Sequence, residues 1–321
     1  MSSPHQPGVE AAGPRSFAMP PLFADADAAS VAGQRSFLRA TRARLALAVG
    51  AAVLVAFGNA WVHDGVEILT ALAAAAFVAA LGAEVWLLAD RPENRWYDGR
   101  AFAESAKTLA WRFAVGGSPF PVGLGDAADA FAEHLAQLLE DVSEVTILTG
   151  VGTPVTEEMA ALRASPLAVR KASYLAGRIA DQQQWYAGKA RRNAKSAERW
   201  RLALIVIEVA GAAAALAKAF DLTGTDLTSV ASAAVSAGAA WLAVKQHEAV
   251  ARAYTFAAVE LGIAAQRVRA VHDEERWALE VADAEEAISR EHTMWRAART
   301  ILEPARARRA GPTDDEASRQ P

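Results

Sequence analysis

The stretch LALAVGAAVLVAFGNAWVHDGVEILTALAAAAFVAALGAEVWLLA, residues 45–89, decides the fold of this chain. From Leu45 to Val62 it runs for 18 residues without a formal charge, close to the roughly 20 that a helix needs to cross a bilayer's hydrocarbon core. His63-Asp64-Gly65 reads as a turn, after which Val66 to Ala89 carries apolar sequence back. Lipid offers peptide groups no hydrogen-bond partner, so such a turn has to lie at the membrane surface. A second stretch repeats the plan: Leu202 to Phe220, the polar loop Asp221 to Asp226, then Leu227 to Val244, again 18 residues free of charge. Four spans in two hairpins are therefore expected, at 45–62, 66–89, 202–220 and 227–244. The competing reading is a buried soluble helix, because alanine dominates runs such as Ala71 to Ala76 and is only weakly apolar.

Basic residues favour the membrane. Arg35, Arg39, Arg42 and Arg44 precede the first hairpin, and Arg91, Arg95 and Arg100 follow it. Lys189, Arg191, Arg192, Lys195, Arg199 and Arg201 precede the second, with Lys245 and Arg252 after it, and neither hairpin loop holds a lysine or arginine. The positive-inside rule then places both termini and the central region in the cytoplasm. Trp61, Trp86, Trp200 and Trp241 fall near the span ends, as in an aromatic belt. The plasma (inner) membrane is the expected location.

The remaining sequence is read as helical. An amphipathic helix is expected from Glu93 to Val115, stopped by Gly116-Gly117-Ser118-Pro119. A second should run from Gly125 to Val142, with a short strand at Val145 to Leu148. Proline is absent from Leu167 to Ala219 and from Lys245 to Leu302, so one long helix should enter the third span and another leave the fourth. The fold class is all-α and integral to the membrane, with long amphipathic helices forming a cytoplasmic domain. Residues 1–28 and 303–321, polar, Pro-containing and without periodicity, are expected to be disordered tails, and two repeated modules are expected at 29–150 and 151–302.

Composition excludes several functions. A net charge of −4, from 33 basic and 37 acidic residues, gives no excess for binding nucleic acid. With no cysteine there are no disulfides, thiolate metal sites or cysteine nucleophiles. The six histidines lack metal-ligand spacing, so neither metal nor cofactor is expected. Gly150-Val151-Gly152 lacks the third glycine and the lysine of a phosphate loop, and no serine sits in a nucleophile elbow. The chain is not expected to be an enzyme.

Two groups of charged residues are candidate sites. Glu84 and Glu208 lie inside expected spans near their cytoplasmic ends, and intramembrane carboxylates usually face water or a partner. They are candidate pore-lining residues, since rings of acids select cations, or else they pair with a nearby arginine such as Arg95, Arg199 or Arg201. On the cytoplasmic side, Arg100, Glu104 and Lys107 share a helix face, and Arg178 and Asp181 with Gln182 and Tyr186 form another. Each face suits a ligand or partner, or is simply solvated. Small residues recur every four positions, at Ala48, Ala52, Ala56 and Ala60, at Ala71, Ala75, Ala79 and Ala83, and at Ser232, Ser236 and Ala240. Such stripes serve either an oligomer or packing within one chain.

The segment Trp96 to Phe113 (WYDGRAFAESAKTLAWRF), followed by Pro119-Phe120, resembles the signature after the hairpin in one branch of the SLATT domain family, the two-transmembrane effectors associating with SMODS and SLOG proteins. Tyr174-Leu175 with Arg178, Asp181-Gln182 and Trp185-Tyr186, and the closing run Glu286 to Trp295 (EAISREHTMW), resemble another branch. Together the resemblances cover about residues 35 to 300. They imply an oligomeric pore-forming effector of a bacterial conflict system, triggered through a nucleotide-signal or sensor partner. No catalytic residue carries over. The rival expectation is a non-conducting membrane anchor or scaffold that recruits a partner through its long helices.

Overall fold

The structure is a computed structural model that describes residues 17–140 and 152–300, with residues 290–300 as backbone only. The strand expected at Val145 to Leu148 and the C-terminal tail lie outside the described residues.

Helix α1 (Pro21–Ala56) begins on Pro21, whose fixed φ and missing N–H suit a first helical position. Residues 21–28, expected in the N-terminal tail, are thus helical, and Ala26 is fully buried. The apolar part of α1, Leu45 to Ala56, is twelve residues long, which is about 18 Å of helix. The rest of the expected first span is a 3-10 turn at Gly58–Ala60 and a small hairpin, β1 (Val62–His63) with β2 (Val66–Glu67). Asp64 and Gly65 at its tip both have positive φ, as a tight two-residue β-turn requires.

Helix α2 (Ile68–Asp90) returns and ends at Arg91, a left-handed residue with φ 42°. Helix α3 (Pro92–Val115) starts at once. It ends where the Gly116-Gly117-Ser118-Pro119 run requires: Gly116 takes φ 76°, and the Gly117 N–H bonds back to the Arg112 carbonyl at 2.7 Å. Helices α4 (Ala127–Glu140), α5 (Glu157–Arg163) and α6 (Leu167–Tyr174) follow. A π-helical turn over Leu175–Ala180 joins α6 to α7 (Asp181–Ala219), so Leu167 to Ala219 is helical throughout, as expected. Helix α8 (Leu227–Lys245) is capped by the Asp226 side chain and leads through Gln246, φ 46°, into α9 (His247–Ala270).

The expected single helix after the fourth span is two helices. Val271 is extended, and α10 (Glu274–Thr300) folds back onto α9. Asp273 makes the break: its Oδ1 accepts the Arg276 N–H at 2.8 Å, and Glu274 and Glu275 occupy the first turn, where acids suit the helix dipole.

By length and composition, the helices among the described residues that could cross a membrane are Ile68–Asp90, Leu167–Ala219 and Leu227–Ala270. Helix α1 does not qualify, because an 18-residue stretch ending at Ala56 takes in Arg39, Arg42 and Arg44. The apolar helices pack in a row, α2 on α1, α1 on α8 and α8 on α7. The polar halves of α1 and α7 continue into a second layer, α1 against α3 and α7 against α9, with α10 on α3 and α9. The core lies there, around Phe102, Trp111, Phe113, Phe131, Tyr174 and Trp277.

Two glycines set the closeness of α1 and α3. A methyl on Gly33 would stand 2.7 Å from the Trp96 nitrogen, and one on Gly99 would stand 2.9 Å from the Ala26 carbonyl. Ser30 completes the contact by donating to the Trp96 carbonyl at 2.9 Å. The small-residue stripes only partly serve this packing. On α2 the buried positions are Ala73, Ala80 and Leu87, whereas Ala71, Ala75 and Ala79 are exposed. Ser232 and Ser236 of α8 are exposed too, and the buried positions there are Gly238 and Trp241.

Candidate functional site: the apolar helices and the buried charge network

The apolar helices keep their large side chains outside. Leu72, Phe77, Val78, Leu81 and Val85 of α2 are exposed, as are Leu202, Ile205, Val206, Val209 and Leu216 of α7. At about 25 cal/mol per Å² of apolar surface, facing water with such residues on two whole stretches is costly. In lipid the cost disappears. Largest apolar patches on soluble monomers are commonly a few hundred Å², and these helices expose large apolar side chains from Leu72 to Leu88 and from Leu202 to Leu216.

The two intramembrane candidates have different surroundings. Glu84 forms an ion pair with Arg44, which reaches it from α1. None of the three arginines weighed from sequence is its partner, because α1 rather than α3 or α7 packs on α2. Glu208 is exposed on α7 and lines an open groove of about 490 Å³ with Arg201, Leu242, Glu248 and Arg252. Arg201 is engaged by Glu248. In the row α2, α1, α8, α7 the two glutamates sit on the outermost helices. Lys218 pairs with Asp226 across the α7–α8 loop at 3.7 Å.

The polar candidates converge, although they come from two distant segments. Arg100 pairs with Glu104 at 2.9 Å on α3 and lies over the Trp185 ring of α7. Lys107, half-buried on the same helix, lies in the field of Arg178, Glu104, Asp181 and Glu285. Burial first, and then Arg178, push its ammonium below the usual lysine value, against the pull of the three carboxylates. Asp181 is exposed. Arg178 is 1 % exposed, so this part of the long helix is not a solvated face.

Arg178 belongs to a network that the sequence did not single out. Its Nη2 donates to Glu285 Oε2 at 2.6 Å and its Nε to Oε1 at 2.9 Å. Glu285 also accepts from Tyr174 Oη at 3.0 Å and Thr108 Oγ1 at 2.9 Å. All four residues are buried. Burial works against the Arg178 charge, but Glu285 outweighs it and the guanidinium is held still more firmly protonated than usual. Burial and the same carboxylate push the Tyr174 phenol up, so it stays a donor. The signal for Glu285 was present: Trp277, Val281, Ala284 and Ile288 form the buried stripe of α10, and Glu285 lies on that stripe, four residues after Val281 and three before Ile288. Nearby, the end of α3 is clamped: Arg170 Nη1 and Trp277 Nε1 both donate to the Val115 carbonyl, at 2.6 and 2.7 Å. Arg163 donates to the carbonyls of Phe113 and Phe120.

Family profiles match on both sides of this network. Residues 20–171 match the SMODS and SLOG-associating 2TM effector domain 3, and residues 174–295 match the SMODS and SLOG-associating 2TM effector domain 1. The chain belongs to the SLATT family. It is a tandem of two SLATT domains, each of a two-transmembrane effector class, and with its exposed apolar helices it is a membrane protein. Thr108 comes from the first SLATT domain and Tyr174, Arg178 and Glu285 from the second, so the buried network joins the two. No curated protein and no solved structure matches the chain.

Proposed function

We propose that this tandem SLATT protein is a membrane effector of a bacterial conflict system, in which copies of the chain assemble and open an ion path on a cytoplasmic signal. The carrying observation is the exposure of apolar side chains along α2 and α7 at the two ends of the helix row. Four spans in two hairpins in the plasma membrane, with both termini on its cytoplasmic side, complete this reading, and the 3-10 turn and β-hairpin at Gly58 to Glu67 finish the first crossing at the outer surface. Glu84 and Glu208, on opposite ends of the row, meet across a shared pathway only when a neighbouring copy adjoins them. The signal acts through a nucleotide-sensing partner on the layer that holds Arg100, Glu104, Lys107, Arg178 and Asp181. It shifts the balance between two packings of the spans by binding the open one more tightly. The protein acts without catalysis, cofactor or nucleic acid.

The Glu84–Arg44 pair favours a second reading, a non-conducting anchor, because it neutralises a charge that a cation pathway would use. Membrane potential separates the two. Dye fluorescence is followed in bacteria expressing wild type or the Glu84→Ala, Glu208→Ala double variant at equal membrane abundance. Depolarisation by wild type that the variant alters supports conduction past these residues. An unchanged potential, with well-inserted protein and the activating partner co-expressed, overturns conduction in favour of the anchor.

A further inference from the structure

We propose that Arg42, Lys189 and Lys245, set on the faces of Trp185 and Trp241, form a binding site for a phosphoryl anion where the apolar spans end. Cations from four helices converge on two indoles. Arg42 of α1 lies 4.9 Å and Lys245 of α8 5.8 Å from the centre of the Trp241 ring. Arg100 of α3 lies 5.6 Å and Lys189 of α7 5.2 Å from that of Trp185. Arg100 has Glu104 as its counter-charge. For the two lysines the acting charges are cations: Arg192 and Arg100 on Lys189, and Arg42 and Lys189 on Lys245. Both lysines are half-buried.

Like charges gathered in a partly dry place repel, and cation–π contacts offset only part of that. Burial, then Arg192 and Arg100, push the Lys189 ammonium below its usual value. A multiply charged tetrahedral anion reverses each effect at once, and ammonium groups from separate helices can meet its oxygens from several sides. The position narrows the source. Trp241 is buried four residues before Lys245, the last residue of α8, and Arg42 lies three residues before the apolar run of α1. Trp241, Lys245 and Arg42 are thus at the level of lipid headgroups, where basic clusters beside spans bind anionic lipid, and Lys189 reaches the cluster from thirteen residues before Leu202 on the cytoplasmic side. The shared chemistry is a phosphoryl group, from an anionic lipid or from solution. The lipid source rests on the membrane reading above, and because the test involves no ion flux, its failure is distinct from a failure to conduct.

The test compares thermal midpoints of the full-length protein in nanodiscs of phosphatidylcholine, of phosphatidylcholine with phosphatidylglycerol, and of phosphatidylcholine with inorganic pyrophosphate added. An upward shift of about 3 °C or more is expected in at least one of the anionic conditions, as for a ligand well above its dissociation constant. A shift with phosphatidylglycerol only assigns the site to lipid, and one with pyrophosphate only assigns it to a soluble phosphoryl ligand. The Lys189→Gln, Lys245→Gln double variant should lose the shift yet melt no lower than wild type in plain phosphatidylcholine, because it relieves the repulsion. Lys189→Arg, Lys245→Arg should keep the shift. If the glutamine pair does not fold, Lys189→Gln alone is read, with at least half the shift expected to go. No shift in either anionic condition overturns the proposal, as does a full shift in the glutamine variants.

Discussion

Replacing Arg178 by methionine tests whether the buried network holds the two SLATT domains together. The change leaves the Glu285 carboxylate, 0 % exposed, with only Tyr174 and Thr108 among its described donors. Breaking a buried ion pair from one side costs about 3–5 kcal/mol, since the remaining charge keeps its desolvation penalty. At about 2–4 °C per kcal/mol, that lowers the thermal midpoint by roughly 6 to 20 °C. Glu285→Leu strands Arg178 in the same way and should cost a similar amount. The Arg178→Met, Glu285→Leu double variant removes both charges. Its remaining cost is the hydrogen bonds lost by the Tyr174 and Thr108 hydroxyls, about 1 kcal/mol each. The two changes should therefore couple by at least about 3 kcal/mol in a double-mutant cycle. The assay is urea unfolding in detergent, followed by tryptophan fluorescence. Trp111 and Trp277 both pack edge-on against Tyr174 and report on the network directly. If each single change costs less than about 1 kcal/mol, or if the double variant costs the sum of the singles, the network is not what joins the domains.

Three further outcomes are expected. Gly33→Ala or Gly99→Ala forces a methyl into backbone 2.7 to 2.9 Å away, and each should cost about 1–3 kcal/mol, measured by the same unfolding assay; a neutral effect would mean that α1 and α3 separate freely. Gln246→Gly removes the strain of a left-handed residue at φ 46°, about 1 kcal/mol, and should leave stability unchanged or raise it, whereas Gln246→Val should lower it. Lys107, labelled by reductive ¹³C-methylation, should titrate below 10.5 by NMR and move up in Arg178→Met. Between that lowered value and 10.5 the unfolded chain binds more protons than the folded one. The Lys107 contribution is thus a penalty, complete below the folded value and gone above 10.5, and stability should rise with pH across that window.

Hydropathy and basic flanks made most of the helical plan legible, because a long charge-free run between arginines has few alternatives to an exposed apolar helix. The end of α3 followed from the Gly116-Gly117 stop. Where composition alone was read, backbone geometry escaped. Phe57 to Val62 continues the apolar run, so hydropathy extends the helix, but Gly58 and Asn59 leave it as a 3-10 turn. Similarly, the absence of proline after Lys245 hid the break at Val271, which Asp273 followed by two glutamates had signalled as a helix start. For the candidate site, spacing located Arg100, Glu104 and Lys107 on one face of α3. It could not show that a turn 70 residues further on would bring Arg178 beside them, nor which of the adjacent Glu285 and Glu286 points inward. That choice is made by the tertiary stripe of α10.

The continuity of the helix from Leu167 to Ala219 makes it a lever. From Leu202, where its apolar run begins, back to Leu167 is about 50 Å at 1.5 Å per residue. A tilt of about 10° at the apolar end swings the far end by about 9 Å over that length. Arg178 lies near that far end and is bolted to α10 through Glu285. Leaning this helix in the bilayer therefore drags the second domain's terminal helix with it, and a push on that helix is delivered, without a joint between, to the apolar stretch.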